Sequence, residues 1–384
     1  MTAAVMEYST GQLRLSRPGA RGNNLRAWDA ADELLLAAAM ERLEAGARVL
    51  IIDDQFGALT LGLSAFSPET LSDSALLAKA LDDNLKLNPG IPVPPIPASW
   101  LAPPQGRFDL VVMRIPRQAD YLAWLLRWCN GILAAHGCLL AGGMIKHLPD
   151  KSVDVFAENL LTEAVLPARK KARVVVCRPG SASLKGWSGC WKGYRTGAMP
   201  AQVEALPAVF SRDKLDIGTA ELLPLVAPAA GRLPAGARVL DLACGNGVLG
   251  MSALASRDDI AVDFADVSSQ AVASVRHNLE SSGYLSRGTV HHCDAADLCQ
   301  GPYNLILLNP PFHEAGAVGD HIARRLFRGA ARHLADDGRL LMVGNRHLGY
   351  HVTLRRYFRL VKQLSSSARF VVFEAQAGNR QVMR

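Results

Sequence analysis

The chain has 384 residues, of which 49% are hydrophobic and 20% charged, and a formal net charge of +7. This composition fills sizeable cores in two or three domains, excludes disorder or coiled coil as the main state, and favours an anionic partner. There is no long uncharged apolar run, no secretory leader, and no zinc-like spacing among the seven cysteines, so a cytoplasmic protein with reduced thiols, no membrane contact and no metal is expected.

In chain order, Arg48–Asp53 (RVLIID) is a short apolar run that predicts a strand buried on both faces. Leu76, Leu77, Ala80, Leu81 and Leu85 follow at helical spacing. Further strands are predicted at FDLVVMRI (108–115), CLLAGGM (138–144) and ARVVVC (172–177). PGSASLKGWSGCWKGYRTGAMP (179–200) lacks apolar periodicity and predicts a linker.

The pattern then begins again. AGARVL occurs at 45–50 and at 235–240, and four further stretches match in the same order at offsets of about 190 to 201. GRFDLVVMRIPR (106–117) parallels GPYNLILLNPPF (301–312), and LAAHGCLLAGGMIKHL (133–148) parallels LADDGRLLMVGNRHL (334–348). Ordered matches of this kind point to an internal duplication. Strands alternating with helices predict an α/β protein with a Rossmann-like, doubly wound sheet in each half, residues 1–197 and 198–384.

The chemistry concentrates in the second copy. Its first strand ends in Asp241-Leu-Ala-Cys-Gly245-Asn-Gly247-Val-Leu-Gly250. Glycines there allow a sharp turn and close approach of a ligand, which also fits a dinucleotide site. Asp241 weighs against a pyrophosphate and favours a cation such as S-adenosylmethionine. Asp266 follows Gly247 by nineteen residues, where a carboxylate can accept ribose hydroxyls, and Asp294 is placed for an adenine edge.

The fourth strand ends in Asn309-Pro310-Pro311-Phe312. The prolines stop the strand and stiffen the turn. The Asn309 side-chain oxygen and the Pro310 carbonyl can then accept both N–H groups of an exocyclic amine, aiming its lone pair at a methyl donor, while Phe312 stacks on the base. The first copy has Ile51, Gln55 and Arg114-Ile-Pro-Arg117 at the matching places, so a degenerate half that shields and grips substrate is expected.

Eight basic residues and no acid lie between Arg169 and Arg195, among them Lys170, Lys171, Arg173, Lys185 and Lys192. Trp187, Trp191 and Tyr194 are interleaved with them. This suits single-stranded RNA, or else a solvated edge whose aromatics pack on the core. Arg114 and Arg117 are added as candidate phosphate contacts.

Taken together, these residues resemble the bacterial ribosomal RNA guanine-N2 methyltransferases built from two tandem class I methyltransferase-like domains. The resemblance runs over nearly the whole chain, through LRAWDAADELLL (25–36), VFSRDKLDIGT (209–219), DLACGNGVLG, NPPFHE and NRHLGY. LRAWDAADELLL and NRHLGY look like the type that modifies large-subunit 23S RNA, with the 16S type the near alternative. The resemblance implies that Phe210, Asp216 and Gly218 border the cofactor pocket and that the first half docks RNA. Ala243 stands where the family often has glycine. N-P-P-F alone also marks adenine-N6 and glutamine-N5 enzymes. An oxidoreductase using nicotinamide and a non-catalytic RNA-binding assembly factor remain the alternatives from other classes.

Overall fold

The computed structural model describes residues 3–9, 11–18, 26–149, 151–294, 301–311, 313–314, 317–318 and 320–378. The chain forms two compact units, Met1–Cys190 and Trp191–Arg384.

The first unit opens on a hairpin of β1 (Ala4–Tyr8) and β2 (Gly11–Leu15), then α1 (Ala30–Met40). β3 (Val49–Ile52), α2 (Ala58–Gly62), β4 (Glu69–Leu71), α3 (Leu76–Leu85), β5 (Phe108–Arg114), α4 (Ala119–Ile132), β6 (Leu133–Met144), α5 (Ser152–Asn159), β7 (Leu161–Val165) and β8 (Ala172–Arg178) follow. The sheet order is β4-β3-β5-β6-β8-β7, parallel from β4 to β6 and antiparallel beyond. All four residues of β3 are buried. Val49 and Ile51 pack with Leu35 and Leu36 of α1 in one core. Such apolar runs arise because both faces of a parallel sheet are covered.

The second unit begins with the β9 (Lys192–Tyr194) and β10 (Val203–Ala205) hairpin. Then come α6 (Ile217–Ala230), β11 (Arg238–Leu242), α7 (Val248–Ser256), β12 (Ala261–Asp266), α8 (Ser269–Ser281), β13 (Gly288–His292) and β14 (Tyr303–Leu308). A ribbon of β15 (His313–Glu314) and β16 (Ala317–Val318) leads to α9 (Asp320–His333), β17 (Leu334–Asn345), α10 (Tyr350–Leu354), β18 (Leu360–Ser366) and β19 (Phe370–Gln376). The order β13-β12-β11-β14-β17-β19-β18 repeats that of the first sheet and adds β13 at one edge. Val239 and Leu307 join the core of α6 and α7, while Leu240 and Leu308 join that of α9 and α10.

The duplication extends to side chains. Arg48 lies 4.4 Å over the Phe108 ring and pairs with Glu69; Arg238 lies 4.9 Å over Tyr303 and pairs with Asp263. The missing edge strand has a sequence cause. Residues 86–107 of the first unit contain seven prolines, which donate no ladder hydrogen bonds. An isolated parallel bridge from Leu71 to Ala98 stands in its place.

Candidate active site

The parallel strands of the second unit bring the predicted acids to one edge. Asp241 lies in β11, Asp266 ends β12, Asp294 follows β13 by two residues, and Asn309 follows β14 directly. Ligand crevices of doubly wound sheets lie at the carboxyl ends of such strands.

Asp241 is buried, and its Oδ2 accepts from the Gly250 backbone N–H at 2.8 Å. Burial pushes its carboxyl up to about 8. The loop above it is left-handed at Ala243 (φ 57°), Gly245 (φ 55°) and Gly247 (φ 82°). A Cβ on Gly250 would fall 2.4 Å from the Phe264 ring, and one on Gly247 would fall 3.0 Å from Val275. One on Gly245 would meet nothing within 4 Å among the described residues. Packing therefore demands glycine at 250 and the left-handed turn favours it at 247, while the side of Gly245 that a Cβ would occupy is open among the described residues, which suits close approach of a ligand.

Asp266 accepts from Gly245 N through Oδ2 and from Ser268 N through Oδ1, both at 2.9 Å. Asp294 pairs with Arg325 of α9 at 2.8 Å. The Phe210–Ser211 turn sits against the same loop, since Asn246 donates to the Ser211 carbonyl at 3.5 Å and to Tyr194 Oη at 3.0 Å. Phe210 itself is exposed. Asp216 caps α6 by accepting from Thr219 N at 2.8 Å. A Cβ on Gly218 would come within 2.9 Å of Phe370 and 3.1 Å of Asp216 Oδ2.

Asn309 is held by that cap. Its Nδ2 donates to Asp216 Oδ2 at 3.1 Å and to Thr219 Oγ1 at 2.9 Å. Its Oδ1 is buried and accepts no hydrogen bond among the described residues. A buried acceptor without a donor is costly, so the observation calls for a ligand that brings an N–H. Pro310 is buried and Pro311 exposed; Phe312 lies outside the described residues. Thr219 is a contact that sequence reasoning did not find. The only signal for Thr219 is its place three residues after a capping aspartate.

The first unit has different residues at the corresponding places. Arg114, the counterpart of Asn309, forms a bidentate pair with Asp29 at 2.8 Å and reaches Asp32 at 3.0 Å. Its charge is spent inside the fold, which corrects the expectation that it contacts phosphate. Burial pushes the Asp32 carboxyl up to about 7, against the pull of Arg114. Asp54 accepts from Thr60 N at 2.8 Å, taking over the task of Asp241 from three residues downstream. Tyr121 donates to Asp53 at 2.8 Å and accepts from Trp100 Nε1 at 3.2 Å, so bulky rings close the carboxyl end of β3.

Among the other basic candidates, Lys171, Arg173, Lys185 and Arg117 are exposed, Lys192 lies in β9, and Lys170 pairs with Glu33 at 2.7 Å. The interleaved aromatics are engaged within their own units. Arg127 lies 5.0 Å over Trp187, and Trp191 stacks on His277 at 4.3 Å. Among the described residues, no helix is long and apolar enough to cross a membrane, and no group of His, Cys, Asp or Glu is placed to hold a metal ion.

Comparison with known proteins agrees with this geometry. The family profile "Methyltransferase small domain" matches residues 200–374, and "RLMG N-terminal domain" matches residues 3–181. The chain is 37% identical to the ribosomal RNA large subunit methyltransferase G of Alcanivorax borkumensis, covering 95% of each chain. It is 37% identical to the protein of that name from Pseudomonas putida KT2440, covering 95% of this chain and 97% of that one. The T. thermophilus 16S rRNA N2 G1207 methyltransferase (RsmC), solved with AdoMet and guanosine, superimposes with a TM-score of 0.75 at 23% identity, covering 98% of each chain. This last likeness concerns the fold.

Proposed function

The chain belongs to the ribosomal RNA large subunit methyltransferase G family, and from that premise we propose that it methylates the exocyclic N2 of a guanosine in 23S ribosomal RNA. It is a methyltransferase whose cofactor is S-adenosylmethionine. The nicotinamide reading is set aside with that assignment.

The residues present fit this cofactor. Gly245 faces space that is open among the described residues, and the acids at the ends of β11, β12 and β13 suit a ligand carrying cationic and hydroxyl groups. We assign Asp241, Gly245, Gly247, Asp266, Asp294, Phe210, Asp216 and Gly218 to that pocket. Asp241 acts through the loop, because its carboxyl group is buried against Gly250. When bound, the cofactor supplies a methyl group on a sulfonium.

The carrying observation is the orphaned Asn309 Oδ1. A guanine N2 has two N–H donors. Asn309 Oδ1 accepts one and the Pro310 carbonyl the other, which turns the lone pair toward the methyl group. Pro311 stiffens the turn and Phe312 stacks on the base. Positive charge develops on nitrogen during transfer, so neutral acceptors suit the transition state and no strong base is required before it. The exposed Lys171, Arg173, Lys185 and Arg117, with Lys170 and Lys192, contribute sequence-independent phosphate contacts, and the first unit serves RNA docking. The enzyme works in the cytoplasm.

The test is mass mapping of modified nucleotides in ribosomal RNA from cells with and without the protein. Loss of one N2-methylguanosine from 23S RNA is the expected result. Loss from 16S RNA instead would transfer the assignment to the small subunit, and unchanged RNA would overturn it.

A further inference from the structure

We infer that Asp216 and Thr219 form a positioning pair that decides which end of the Asn309 amide meets the substrate. The inference rests on the reading of Asn309 given above and adds to it. An asparagine amide has nearly the same shape in its two orientations, and only its hydrogen-bond partners separate them. The difference is decisive here. With Oδ1 toward the guanine amine, acceptor meets donor. With Nδ2 there, two N–H groups oppose two N–H groups and the cradle is lost.

The structure leaves one orientation. Asp216 Oδ2 is an acceptor when ionised, and it lies 3.1 Å from Asn309 Nδ2. The Thr219 hydroxyl points its hydrogen at Asp216 Oδ2, 3.3 Å away, so a lone pair remains for Asn309 Nδ2 at 2.9 Å. Both groups reject the amide oxygen. The Thr219 backbone N–H also donates to Asp216 Oδ2, at 2.8 Å, so the first turn of α6 sets the position of both acceptors. Oδ1 is left facing away, buried and unpartnered among the described residues.

The first unit supports the assignment independently. Asp29 caps α1, Asp32 lies three residues on, and Arg114 at the matching strand end donates to both, as Asn309 donates to Asp216 and Thr219. The duplicated fold thus brings a helix cap, its third residue and the fourth strand's end together in both halves. In the half without Asn-Pro-Pro-Phe, the clamped side chain is a cation. In the other half it is an amide, and there the clamp leaves the oxygen turned away from the helix.

A mere helix cap would also bring Asp216 and Thr219 together, so the test must read their action through Asn309. The full-length protein, S-adenosylmethionine carrying a labelled methyl group and protein-free 23S RNA serve for it. Thr219→Val keeps the shape and the Asp216 cap but removes the acceptor. We expect kcat to fall about 5- to 10-fold, the usual effect of one lost hydrogen bond, with cofactor Kd and RNA KM within two-fold. Thr219→Ser restores kcat. In an Asn309→Ala background, Thr219→Val costs nothing further, measured by single-turnover labelling. Should Thr219→Val fold poorly, Thr219→Ala provides the same deletion. An unchanged kcat, a loss that persists in the Asn309→Ala background, or a loss confined to cofactor affinity overturns the inference. Wild-type protein that places no label on guanine N2 overturns instead the function on which it rests.

Discussion

Arg114 grips Asp29 through two bonds of 2.8 Å, Nη1 to Oδ1 and Nη2 to Oδ2, at the corner of the first sheet that Asn309 occupies in the second. Asp32 is buried beside them. Removing the guanidinium strands two carboxylates, so Arg114→Ala should destabilise the first unit by about 3–5 kcal/mol. Five of the six tryptophans belong to residues 1–190, so a urea titration followed by tryptophan fluorescence reads that unit. A midpoint equal to wild type would show that the ion pair is dispensable.

On the proposed function, Asn309→Ala removes an acceptor needed during methyl transfer and leaves the cofactor contacts in place. Turnover on 23S RNA should drop by about two to three orders of magnitude, comparable to deleting one preorganised transition-state contact. Calorimetric affinity for S-adenosylmethionine should stay within two-fold. Asp266→Ala should do the reverse, weakening the cofactor about 10- to 100-fold through lost charged hydrogen bonds. Equal effects of the two variants on affinity and turnover would dissolve this division of labour.

Asp241 carries a proton linkage. Its folded carboxyl is raised to about 8 by burial, above the ordinary 3.8. The folded state therefore holds a proton that the unfolded state releases, and this group's effect on stability turns adverse as pH rises through about 4 to 8. A cationic ligand in the neighbouring loop favours the charged form. Binding of S-adenosylmethionine at pH 7 should release a fraction of one proton, seen as a dependence of calorimetric heat on buffer ionisation enthalpy. Asp241→Asn should abolish the release and flatten the fall in stability.

Gly250→Ala tests the packing under the loop. The added methyl would lie 2.4 Å from the Phe264 ring and 2.9 Å from Asp241 Cβ, both buried. Overpacking of this kind costs about 1–3 kcal/mol. The melting temperature should fall, and cofactor affinity with it, because the Gly250 N–H must move off Asp241. A variant that melts like wild type would mean the helix shifts freely on the sheet.

Much of the site was readable from spacing. Asp241, Asp266, Asp294 and Asn309 lie where a doubly wound sheet ends its strands, and short apolar runs announce those strands without tertiary knowledge. Partners distant along the chain were not readable. Thr219 meets Asn309 across 90 residues, and Arg114 meets Asp29 across 85. A lone arginine in a sequence carries no sign of whether it faces solvent or a buried acid. The relocation of a loop acceptor from the place of Asp241 to Asp54 is equally silent, because it needs the fold to show that the two serve corresponding helices, α7 and α2. Trp187 and Trp191 were ambiguous for the same reason, and the stacking on His277 and the arginine above Trp187 place them within their units.

The seven prolines between residues 86 and 107 have a consequence for the history of the first unit. They take away the outermost parallel strand, whose counterpart in the second unit leads to Asp294. Glycine at Gln55 and an amide at Arg114 would alter a loop and a corner but would not bring that strand back. The two sheets thus differ by a whole element as well as by side chains, a difference that point changes at the two corners leave in place.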